Sequence, residues 1–247
     1  MGRESEYTRL FAAINFSPGI CSRLLALQSE LRAKSKLLTD LVARSECGGA
    51  GDAESPACQN SVTCAANFVN NPRQLRGTGG VLRGYWIPPQ RCVDFVNTPK
   101  SRSGNFTAPE NIHLTLVFLG ECSGEQLAAA KAAMDAVRFE PFYIEIDRVG
   151  RFVRGDGNIY WAGVRESRPL FDLQRMLSGK LASKGFEIDG RKYSPHITLG
   201  RKVVASTAGW GIEPFGEMVS SIELMKSERV QGRLTYTAIH RKGAQTG

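Results

Sequence analysis

Histidine is scarce in this 247-residue chain, which holds three. Nor is there a run of about eighteen apolar residues, so no helix is expected to cross a bilayer. The first residues, Met1-Gly2-Arg3-Glu4-Ser5-Glu6, lack the apolar segment of a secretory leader. Glu6 stands where a myristoylation signal needs Ser or Thr. A cytoplasmic protein without a membrane partner is the expectation. Also missing are a Walker-type phosphate loop, a grouping of His with carboxylates, and a lysine-centred nucleotidyl-transfer motif. No metal, cofactor or ATP site is therefore expected. The six cysteines, at 21, 47, 58, 64, 92 and 122, lack the paired C-x2-C spacing of zinc knuckles. They are read as reduced thiols, joined neither to a metal nor to each other.

Positive charge is plentiful. Lys and Arg number 32 against 24 Asp and Glu, a net charge of +8 with a pI of about 9.3. Such a surface draws polyanions and speeds their encounter, which favours a nucleic acid or phosphate partner.

Two of the three histidines repeat one pattern. His113-Leu114-Thr115-Leu116 lies in the alternating run Ile112–Phe118, and His196-Ile197-Thr198-Leu199 lies in Tyr193–Leu199. In a strand, residues two apart share a face. His113 then projects with Thr115, and His196 with Thr198, while Leu114, Leu116, Ile197 and Leu199 turn to a core. Two such strands facing each other make a cleft with two imidazoles and two hydroxyls. The third histidine, His240, has no Thr two residues on and is read as a surface residue.

Around these tetrads the chain alternates strands and helices. Arg9–Phe16 reads as a strand. Ser17-Pro18 then caps a helix with Ile20, Leu24, Leu27 and Leu31 on its core face, ending near Ser35. Ser123 and Gln126 make a capping box for a second helix, buried through Leu127, Ala130, Met134 and Val137. Phe142–Val149 and Ile159–Val164 read as strands, the first ended by Gly150. Ser167 opens a helix carrying Leu170, Leu173, Leu177 and Leu181 and closed near Gly185. Val219–Met225 and Leu234–Ile239 read as a closing antiparallel pair. The second half repeats the plan of the first, and the pattern predicts an α+β duplication, two lobes each bearing one tetrad, rather than a parallel wound sheet. The first lobe is expected from Arg9–Ser35 joined to Asn105–Val149. Residues 37–103, broken by Gly, Pro and Asn, are expected to be an irregular or disordered insertion in that lobe.

The stretches Asn111-Ile-His-Leu-Thr-Leu-Val-Phe-Leu-Gly-Glu121 and Arg191-Lys-Tyr-Ser-Pro-His-Ile-Thr-Leu-Gly-Arg201 resemble the paired signatures of the bacterial RNA 2′,3′-cyclic phosphodiesterases. These are also called 2′-5′ RNA ligases and belong to the two-histidine phosphoesterase superfamily. Supporting likeness lies in Arg9-Leu-Phe, Val149-Gly-Arg-Phe152, Trp161-Ala-Gly-Val164 and Ser227…Tyr236, so that about residues 7–36 and 104–240 are covered. Residues 37–103 depart from the family.

The resemblance implies a single domain of two similar lobes, each an antiparallel sheet backed by helices, duplicated around a central cleft across which the tetrads face each other. The resemblance also implies a substrate that is RNA or a nucleotide ending in a ribose 2′,3′-cyclic phosphate; a monomer is expected. It implies metal-free opening to a 2′-phosphate, with His113 as proton donor and His196 as proton acceptor. The residues alone leave that order open, although imidazoles titrate near neutrality and suit both roles. Thr115 and Thr198 are suited to donate to phosphate oxygens. Arg201 is suited to hold the phosphate or the flanking strand. Phe11 and Trp161 are read either as faces for a base or as core aromatics. The competing reading is a non-catalytic module that binds RNA ends in the same cleft.

Overall fold

The computed structural model describes residues 7–47 and 104–245, Ser206 excepted. Both sheets lie in the unit bounded by Met1–Val42 and Arg102–Gly247. Strand β1 (Thr8–Asn15) is buried on both faces, Leu10, Ala12 and Ile14 on one and Phe11 and Ala13 on the other. That pattern suits an inner strand. Helix α1 (Pro18–Cys47) begins as expected, with the Ile20 N–H donating to Ser17 Oγ at 3.4 Å. It runs past the expected end at Ser35 because no Gly or Pro intervenes before Gly48. The rest of the expected insertion, and with it the reading of Cys58, Cys64 and Cys92 as reduced thiols, falls outside the described residues, as does the side chain of Cys47. Cys21 and Cys122 are free.

After β2 (Asn105–Phe106) and a 3₁₀ turn (Pro109–Asn111), β3 (His113–Cys122) carries the first tetrad. Helix α2 (Gly124–Asp135) opens on the expected capping box: Gln126 N–H to Ser123 Oγ at 3.3 Å, Ser123 N–H to Gln126 Oε1 at 2.9 Å. Then come β4 (Phe142–Phe152), β5 (Asn158–Val164) and α3 (Arg168–Ala182), whose buried residues are the four expected leucines. Strand β6 (His196–Val203) carries the second tetrad. The chain ends in β7 (Trp210–Val219), β8 (Ser221–Val230) and β9 (Arg233–Gly243). Gln231 and Gly232, both at positive φ, make the two-residue turn between β8 and β9.

All pairings are antiparallel, in two sheets ordered β3-β1-β8-β9 and β2-β6-β5-β4-β7. This is the expected α+β architecture of two sheets with helices, but the lobes are not contiguous. Strands β2 and β4, expected in the first lobe, belong to the second sheet, and β8–β9 return to the first. Helix α1 also serves the second sheet. Gln28, buried, donates to Leu199 O at 2.9 Å and Thr107 O at 2.8 Å, and Arg32 lies 3.8 Å over the Phe106 ring. Periodicity identifies a strand without identifying its partner, which is why sheet membership was misread.

Two smaller corrections share a cause. Gly150 does not end β4. It sits opposite Trp161, where a Cβ would come within 2.3 Å of the indole, so glycine answers a close approach. Strand β7 was missed because Gly211, Pro214 and Gly216 break its pattern. It is an edge strand, where proline is tolerated. No described helix is long and apolar enough to cross a membrane.

Candidate active site

The two tetrads meet as the alternation requires. His113 and Thr115 from β3, and His196, Thr198 and Arg201 from β6, line one pocket of about 90 Å³. Thr107, Asn111, Phe118 and Tyr236 complete its wall.

Each imidazole is held in the same way. His113 Nδ1 lies 2.7 Å from Asn111 O, and His196 Nδ1 lies 2.7 Å from Ser194 O, in both cases the carbonyl two residues earlier. A carbonyl only accepts, so Nδ1 carries the hydrogen in both rings and Nε2 is left for the cleft. His113 Nε2 is 3.0 Å from Thr115 Oγ1, whose hydroxyl donates to the neutral ring. Aromatic rings fix the planes. Phe11 and Tyr236 flank His113 at centroid distances of 4.9 and 5.2 Å, and Phe152 and Trp161 flank His196 at 5.2 and 6.4 Å.

Other contacts lock the strands that carry them. Asn111 is 6% exposed. Its side-chain amide donates to Leu234 O at 2.8 Å and accepts from the Tyr236 N–H at 3.1 Å. It thereby acts as an extra rung on the outer edge of β9, while its carbonyl holds His113. Tyr193 O–H donates to Thr115 O at 2.9 Å and ties the approach of the second tetrad to the first strand. Burial pushes that phenol well above its usual range. Thr107 Oγ1 donates to Thr198 O at 2.8 Å.

Both strands bulge at the same point. Opposite β1, the pairing passes from Thr115 to Val117 and skips Leu116; opposite β5, it passes from Thr198 to Gly200 and skips Leu199. The extra residue reverses the alternation. Phe118 and Arg201 thus come to the face that carries the His and Thr residues.

Burial holds the His113 imidazole below its ordinary pKa, partly offset by the Asn111 hydrogen bond, and the charges of Arg201 and His196 push it further down. The free site therefore favours neutral His113. In Arg201→Gln the loss of one opposing charge should raise the His113 pKa toward 6.5. An NMR titration of the ring protons reads this directly; a midpoint that stays put or falls would contradict the assignment.

The remaining sequence candidates separate. Phe11 is 2% exposed, its ring covered by His113, Phe118 and Tyr236, and it serves as packing. Trp161 is half-buried beside Phe152 and His196. His240 lies apart from the pocket and pairs with Asp135 at 2.8 Å. Asn111, Thr107, Phe118 and Tyr236 were not singled out from sequence. Asn111 and Phe118 lie within the first quoted signature, and Tyr236 closes the last. Among the described residues no three of His, Cys, Asp and Glu gather as a metal site would require.

Residues 89–231 match the family model described as the 2′-5′ RNA ligase superfamily. The chain is 37% identical over 117 residues to a protein of Archaeoglobus fulgidus named RNA 2′,3′-cyclic phosphodiesterase, covering 44% of this chain and 66% of that one. It is 33% identical over 144 residues to a protein of the same name from Escherichia coli, covering 56% and 79%. In three dimensions it is similar to the crystal structure of E. coli LigT, with a TM-score of 0.61 at 23% identity, covering 98% of this chain and 100% of that one. The Thermus thermophilus protein TT0787 gives 0.59 at 19% identity, covering 95% and 97%. At these identities the structural likeness speaks for the fold.

Proposed function

This chain belongs to the 2′-5′ RNA ligase superfamily, and we propose that it is an RNA 2′,3′-cyclic phosphodiesterase, opening a ribose 2′,3′-cyclic phosphate at an RNA or nucleotide end to a 2′-phosphate. The observation that carries this reading is the matched pair of Nε2 atoms turned to one small pocket beside two threonines and an arginine.

In the hydrolytic step water adds to phosphorus, the P–O3′ bond breaks, and one proton must leave the water while another reaches O3′. His196 takes the first and His113 supplies the second, an order that follows the family pattern. Neutral His113 in the free site is compatible with it, because a bound phosphate anion beside the ring favours the imidazolium. Thr115 and Thr198 donate to the non-bridging oxygens, and Arg201 offsets charge as the phosphorane forms. With the 5′-hydroxyl of a second RNA in place of water, the same step gives a 2′-5′ linkage and a free 3′-hydroxyl. One chain supplies both tetrads, so a monomer is sufficient.

The test is incubation with adenosine 2′,3′-cyclic phosphate in EDTA, followed by separation of the two product isomers. Adenosine 2′-phosphate is expected at an undiminished rate. Binding without product would favour the non-catalytic module; the 3′-phosphate, or loss of activity in EDTA, would overturn the step as written.

A further inference from the structure

Phe118 has no part in the acid–base step, yet it is 67% exposed on the pocket wall. A lone exposed apolar side chain needs no explanation by itself. Phe118 differs because of how it arrives there. Along β3 burial alternates from His113 to Leu116, then Val117 is also buried and Phe118 emerges. Along β6 the sequence of burial is the same: Leu199 and Gly200 are both buried and Arg201 emerges. Phe118 and Arg201 are therefore counterparts, each five residues after its histidine and each turned to the cleft by the same bulge. One wall presents a cation where the other presents an aromatic face.

We propose that Phe118 is the platform on which the nucleobase of the terminal nucleotide stacks, so that the site selects nucleoside 2′,3′-cyclic phosphates over the same cyclic phosphate on a bare ribose. This rests on the reading of the site given under Proposed function. Phe118 lines the same small open pocket as the two histidines and Arg201. A nucleotide whose phosphate sits beside the histidines therefore has this ring within reach of its base. Phe118 is supported from beneath by Phe11, with centroids 6.0 Å apart and planes inclined at 41°, and Tyr236 packs against the same Phe11 ring at 4.9 Å. The layer holds the Phe118 ring in place while its outer side stays in solvent. Aromatic faces stack with every base, so discrimination among the four bases is weak.

The test compares kcat/KM for adenosine 2′,3′-cyclic phosphate and for ribose 2′,3′-cyclic phosphate in the parent, Phe118→Ala and Phe118→Trp. Calorimetric affinity for adenosine 2′-phosphate is measured alongside and needs no turnover. The parent should prefer the nucleoside. Phe118→Ala should cut that preference about tenfold, chiefly through KM, and weaken adenosine 2′-phosphate binding to match; Phe118→Trp should restore both. An unchanged preference in Phe118→Ala overturns the proposal. So does a loss confined to dinucleotide substrates, which would put the neighbouring base on the ring. If the parent hydrolyses neither compound but binding still depends on Phe118, the phosphodiesterase reading fails and the platform stands.

Discussion

His113→Ala and His196→Ala should each lower kcat/KM for a cyclic nucleotide by about two to four orders of magnitude, the loss expected when a general acid or base is removed. The double variant should be little worse than either single one, because the two groups act in one step and their losses do not add. The fold should survive, since both rings are only partly buried and their Nδ1 partners are backbone carbonyls that water can satisfy. Thermal unfolding of the variants separates loss of chemistry from loss of structure. A single variant with near-normal turnover would remove that histidine from the mechanism.

Gly150→Ala should be almost as damaging, although Gly150 touches no substrate. A Cβ at this position would sit 2.3 Å from Trp161 Cη2 and 2.5 Å from Cζ2, and one at Gly163 would sit 2.9 Å from Trp161 Cζ3. The indole thus lies across two glycines, one on β4 and one on its own strand. Alanine at 150 forces the ring toward Phe152 and His196. Overpacking of this kind costs about 1–3 kcal/mol, or about 2–4 °C of Tm per kcal/mol in a chain of this size. Displacing His196 by about 1 Å should cost on the order of a hundredfold in kcat. Adding Trp161→Leu to Gly150→Ala should recover most of the lost Tm, because the clashing ring is gone, without recovering activity. A Gly150→Ala protein with parental Tm and kcat would contradict the account.

What the sequence made legible was local and periodic. The tetrads, the capping box of α2 and the leucine stripe of α3 depend on spacings of two, three and four residues, and each was found where expected. What it hid was non-local or off-period. Strict alternation carries Phe118 to the core side with Leu114 and Leu116, and only the bulge, visible through the pairing with β1, brings it to the cleft. Tyr236 joins the site because β9 returns beside the 3₁₀ turn and Asn111 pins it there, a meeting of residues more than a hundred apart in the chain. Gly150 and Gly216 look like strand breakers and are instead places where another strand's atoms come too close for a side chain.

The exchange of strands between the two sheets also governs how the protein can be made. Strand β1 leaves the ribosome long before β8, one of its two neighbours. Closing so long a loop adds little free energy, because that cost grows slowly with length, but such distant pairings form slowly. Until residues 221–243 emerge, β1 has one bare edge and the sheet that carries His113 lacks half its strands. A nascent chain in that state exposes backbone and apolar surface to other chains. The wall of the cleft that carries His113 and Tyr236 is therefore completed only once β8 and β9 have emerged, and a chain halted before Ser221 is an aggregation-prone fragment that lacks half of that sheet.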